Sequence, residues 1–70
     1  MEITIKQLLG IYNCSYQYIK VEVEKYTSFR GYDIYADADG WCYVQINGDW
    51  RYFATIYECK RFIKDIYTDN

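Results

Sequence analysis

A chain of 70 residues has room for one domain, near the length at which a single apolar core only just offsets the entropy of ordering the backbone, and residues 1–70 are expected to form it. The net charge of −2, with dispersed lysines and arginines, gives no strong field toward nucleic acid, and no apolar run approaches the ~20 residues of a membrane span. The 3 cysteines, Cys14, Cys42 and Cys59, are odd in number, widely spaced and preceded by no signal peptide, which fits reduced thiols and a cytoplasmic location better than a disulfide framework.

In chain order, Thr4 to Gln7 has the spacing of a capping box. Ile3 and Leu8 are placed for a hydrophobic staple, and Ile5, Leu8, Leu9 and Tyr12 recur at helical spacing. The spacing predicts a short N-terminal helix, weakened at Gly10 and closed near Asn13. From Tyr18 to Tyr26 strict alternation predicts a half-buried strand, with Ile19, Val21 and Val23 on one side and Lys20, Glu22 and Glu24 on the other. Thr27 to Gly31 is turn chemistry, Tyr32 to Ala36 a second strand, and Asp37-Ala38-Asp39-Gly40 another turn.

Trp41 to Ile46 is β-rich, and Asn47-Gly48 suits a tight hairpin because both central residues of that turn need positive φ; Asp49 to Phe53 is the returning strand. Thr55 to Glu58 repeats the capping-box spacing and opens a helix with Ile56, Cys59, Phe62, Ile63 and Ile66 on one stripe. The expected fold class is α+β: a small antiparallel sheet of three to four strands with N-terminal and C-terminal helices packed on it, in the order α-β-β-β-β-α.

One register is ambiguous. A two-residue loop at Asn47-Gly48 puts Val44 and Phe53 on one face and Trp41, Tyr43, Trp50 and Tyr52 on the other. A three-residue loop with a bulge at Gly48 would instead send Trp50 and Tyr52 into the core with Cys42 and Val44.

Reactive chemistry is poorly supplied. There is no histidine, so the commonest general base and metal ligand is missing. Cys59 lies in the first turns of a helix, where the dipole lowers a thiol pKa, but it also lies on the apolar stripe and reads as a small buried hydrophobe. Laid on a calcium-loop template with Gly40 at the sixth position, the outer ligand positions fall on Tyr35 and Ile46, which carry no carboxylate. The glycines are isolated from one another, so no phosphate loop is present, and so short a chain leaves little room for a cleft flanked by two positioned acids. No enzyme activity, cofactor, metal or small-molecule substrate is expected.

The remaining signal is aromatic. Rings make up 21% of the chain and 10 of them are tyrosines, more than a small core needs, and every buried phenol hydroxyl must find a partner. Tyr and Trp are enriched in interface cores, which makes Tyr35, Trp41, Tyr43 and Trp50 candidate protein-binding anchors; the competing reading is ordinary cross-strand pairing. Asp37, Asp39 and Asp49, in turns and at strand ends, are candidate contacts to a basic groove, as phosphate mimics. Lys60, Arg61 and Lys64 form a basic patch on the last helix, open to phosphates or simply complementary to the helix dipole.

The segment Trp50-Arg51-Tyr52-Phe53-Ala54-Thr55-Ile56-Tyr57-Glu58-Cys59-Lys60-Arg61-Phe62-Ile63 resembles a recurrent ending of small proteins of phages and mobile elements, in which an aromatic strand runs into a Thr-capped helix. Cys59 stands where a small Ala is common. The resemblance implies an accessory factor with no catalytic residues, and some tiny phage proteins are anti-CRISPR or other host-defence inhibitors. The leading expectation is a non-enzymatic module that binds and inhibits or modulates a host protein or protein–nucleic-acid complex, in the host cytosol. The alternatives are an excisionase-type DNA-binding factor, with a helix-turn-helix across the first helix and Tyr16 to Lys25 or with the Lys60, Arg61 and Lys64 patch, and a homodimer joined by aromatic faces or edge strands.

Overall fold

The computed structural model describes residues 1–8, 10 and 15–68, and among them six strands precede one helix. The strands are β1 (Glu2–Leu8), β2 (Tyr16–Glu22), β3 (Glu24–Phe29), β4 (Tyr32–Ala36), β5 (Cys42–Ile46) and β6 (Asp49–Phe53), followed by α1 (Ile56–Thr68). They form two antiparallel sheets, the pair β1-β2 and the meander β3-β4-β5-β6.

The N-terminal helix is therefore replaced by a strand, and the α-β-β-β-β-α order is not seen. Within Glu2–Leu8 the burial has period two: Ile3 and Ile5 are buried, and Glu2, Thr4 and Lys6 are exposed. Alternating β-branched residues suit a pleated surface, and β2 supplies a full ladder from Glu2↔Glu22 to Leu8↔Tyr16. The Thr4-to-Gln7 spacing was a local coincidence that this pairing overrides. Leu9, Tyr12, Asn13 and Cys14 lie outside the described residues.

The alternating run Tyr18 to Tyr26 is divided at Val23 between two sheets. The Val23 amide donates to the Met1 carbonyl at 2.8 Å, and the N-terminal ammonium donates to the Val23 carbonyl at 2.8 Å, so the first ladder ends where the chain crosses over. Tyr26 is an extra residue in β3, between the pairs Lys25↔Tyr35 and Thr27↔Ile34, and this bulge turns its ring outward. The turn read at Thr27 to Gly31 narrows to Arg30-Gly31, both at positive φ.

At Asn47-Gly48 φ is 54° and 87°, and Ile46 pairs with Asp49, so the hairpin has the two-residue loop. Directly paired residues share a face, which sends Cys42, Val44, Ile46 and Phe53 to one side of the meander and Tyr43, Trp50 and Tyr52 to the other.

Two cores result. On one face α1 lays Cys59 and Ile63 over Ile34, Cys42, Val44 and Ile46, with Phe53 and Phe62 in ring contact at 5.2 Å. Thr55 caps this helix: its hydroxyl accepts from the Glu58 amide at 3.2 Å. On the other face Ile3, Ile5 and Val23 cover Tyr43, with Ile19, Val21, Tyr35 and Trp50 at the margin. The molecule is thus layered helix, four-stranded sheet, two-stranded hairpin, and the hairpin covers part of the aromatic face. Each fully buried aliphatic side chain, such as Ile34 or Ile63, contributes about 1.5–3 kcal/mol through the water it sheds.

Candidate binding face

Asp37 organises the turn between β4 and β5. Its Oδ1 accepts from the amides of Asp39 and Trp41, each at 2.9 Å, and its Oδ2 accepts from the Tyr43 hydroxyl at 2.8 Å. Desolvation pushes the Asp37 pKa up, but the hydrogen bonds from Tyr43 and from the turn amides outweigh it and hold the carboxyl below its ordinary value. Burial, with the Asp37 hydrogen bond second, pushes the Tyr43 hydroxyl far above the usual phenol range. This contact satisfies the hydroxyl of a 96% buried tyrosine and fixes the backbone that presents Trp41.

The candidate anchors are separated by this arrangement. Tyr43 is buried, and Tyr35 and Trp50 are half-buried under the hairpin, their rings edge to face at 5.6 Å. Their contacts are internal. Trp41 is 41% exposed and meets the Tyr52 ring at 5.9 Å, with Tyr52 itself 37% exposed. Asp37 is half-buried and engaged as described, whereas Asp39 is exposed in the same turn. Asp49 is exposed at the opposite end of the β5-β6 hairpin.

Beyond Tyr52 the exposed surface continues onto the outward side of β1-β2. The register places Thr4, Lys6 and Leu8 opposite Lys20, Tyr18 and Tyr16, and all six are exposed. Between this side and β6 run two adjoining grooves of about 520 and 470 Å³, which share Lys6, Tyr16, Trp50 and Arg51 as lining residues. The Lys6 ammonium lies 4.0 Å from the centre of the Tyr16 ring, a cation–π distance. Among the described residues no carboxylate forms an ion pair with Lys6, Lys20 or Arg51. Tyr16, Tyr18, Lys6 and Arg51 were not among the sequence candidates; the signal that could have found them is the alternation of Glu2–Leu8 read as a strand.

The exposed Asp49 lines the first of these grooves, and a further acidic group lies at the crossover. Glu22, Glu24 and Asp37 line a shallow depression where β2 crosses to β3. On α1, Arg61 and Lys64 are exposed, and Lys60 is half-buried with its ammonium 5.7 Å from the Phe29 ring centre. Lys64 is itself engaged with another group of the chain. The helix-turn-helix layout has no counterpart, since Glu2–Leu8 and Tyr16–Glu22 are strands.

Cys42 and Cys59 are buried free thiols. Burial, then the neighbouring Cys42, pushes the Cys59 thiol up to about 11, and burial with Asp37 raises Cys42. Both are held in the poorly nucleophilic thiol form near neutral pH. Among the described residues no group of His, Cys, Asp or Glu is placed to hold a metal ion, and no helix is long and apolar enough to cross a membrane.

Comparison with known proteins found no matching family model, no matching curated protein and no matching solved structure.

Proposed function

We propose that this chain is a non-enzymatic interaction module that docks on a protein partner and modulates it by occluding part of its surface, in the manner of small phage and mobile-element inhibitors. The observation that carries this reading is the run of exposed rings from Trp41 and Tyr52, through the grooves beside β6 that Lys6 and Arg51 also line, to Tyr16 and Tyr18. Tyr, Trp and Arg dominate binding hot spots because they bury large area with few rotors to freeze. Here they project from paired strands and a turn held by Asp37, so little ordering entropy remains to be lost on docking.

A photo-reactive phenylalanine analogue in place of Tyr18, with the same group in place of the 84% exposed Tyr57 on α1 as control, tests the reading in bacterial host lysates. One stoichiometric protein adduct is expected from position 18 and none from position 57. W41A and Y52A should each weaken its capture by about thirtyfold, the loss of a hot-spot residue worth ~2 kcal/mol. Absence of any stoichiometric protein adduct at position 18 across plausible hosts would contradict it.

A further inference from the structure

Strand β6 is an edge of the meander, and the two-residue hairpin fixes which of its backbone groups point outward. Ile46 and Asp49 flank the loop as a hydrogen-bonded pair, and pair types alternate along an antiparallel ladder. Arg51 and Phe53 therefore bond to β5, while Trp50 and Tyr52 direct their N–H and C=O groups away from it, toward the grooves. No hydrogen bond outside the ladder engages either backbone among the described residues. Two donors and two acceptors thus stand ready for another strand.

A second copy of this chain is a poor occupant. Antiparallel pairing of two β6 strands that uses all four outward groups bonds Trp50 to Tyr52 of the other copy, and sets Arg51 opposite Arg51 in the closer, non-hydrogen-bonded pair. Like charges directly opposite destabilise a sheet. The arrangement that repels a second β6 attracts a strand with a carboxylate at that position.

We propose that β6 is a docking edge for an extended acidic segment of the partner protein. The segment adds antiparallel as a fifth strand of the meander, with an Asp or Glu opposite Arg51 on the side of the strand that Val44 shares. The residues flanking that carboxylate fall on the Trp50 and Tyr52 side of the strand, beside Tyr16, where apolar or aromatic side chains are favoured. This inference rests on the protein-docking reading above and supplies the chemistry of the partner.

Since the natural segment is unidentified, the probes are two end-capped synthetic peptides of residues 47–54, one native and one carrying R51E, titrated into the full chain and followed by backbone amide NMR. The R51E peptide should bind about tenfold more tightly than the native one, with shifts centred on Trp50, Arg51 and Tyr52. The full chain carrying R51E, a change at an exposed edge position whose folding is checked by the same spectra, should reverse that preference. Equal affinities, no binding by either peptide up to about 1 mM, or shifts centred elsewhere would overturn the proposal. So would an eight-nucleotide thymidine strand that shifts the same amides and displaces the peptide, because the groove would then be a nucleic-acid channel. Failure of the peptides while position 18 still captures a protein overturns strand addition alone; failure of both overturns the docking reading too.

Discussion

Asp37 connects the chemistry of one side chain to the position of several rings. Removing it in D37A leaves the buried Tyr43 hydroxyl and two turn amides without their acceptor, and calorimetry should show a loss of ~1–3 kcal/mol; Y43F, which removes one donor, should lose ~0.5–1.5 kcal/mol. Because the folded-state pKa lies below the ordinary value of 3.8, the stability contributed by ionised Asp37 is complete above that value and disappears as pH falls through the depressed one. The gap in melting temperature between the native chain and D37N should therefore narrow on acidification below pH 3.8, and a constant gap would contradict this role. The thiols give a separate check. In a C14S background, near-neutral disulfide reagent should modify neither Cys42 nor Cys59 until the protein unfolds, and rapid native-state labelling would contradict their burial.

At the scale of elements, the β5-β6 turn and the last helix carry their own instructions. Positive φ at Asn47 and Gly48 fixes the β5-β6 register, and Thr55 in front of an amphipathic stripe fixes the start of α1. T55A should cost about 1 kcal/mol in denaturant unfolding. These features were legible because the signal and the structure it specifies lie within a few residues of each other. The N-terminal segment was not legible in the same way. Its capping-box spacing and helical recurrence compete with Ile3-Thr4-Ile5 alternation, and a pairing partner more than ten residues away decides between them. The same non-local pairing explains why one alternating run became two strands, since nothing in Ile19, Val21 and Val23 announces that Met1 will pair with Val23. Of the candidate anchors, Trp41 emerged on the surface, but the rings most central to the sheet, Tyr43 and Trp50, went under a hairpin whose existence the local pattern obscured. I5A, which removes part of that cover, should destabilise the chain by about 2–5 kcal/mol; a loss below 0.5 kcal/mol would mean β1 is not part of the core.

For the molecule as a whole, the surplus of aromatic residues is divided between two tasks. One group joins the meander to the hairpin, and another borders the grooves beside β6 that Lys6 and Arg51 also line. Both signs of charge meet there, since Asp49 lines the same groove as Lys6 and Arg51, in keeping with the small net charge. The division is tested most directly by acrylamide quenching of the single-tryptophan variants W50F and W41F. Trp41, observed in W50F, should be quenched more strongly than Trp50, observed in W41F, and adding I5K to W41F should raise Trp50 toward the Trp41 value. Equal quenching of the two indoles, unchanged by I5K, would contradict it.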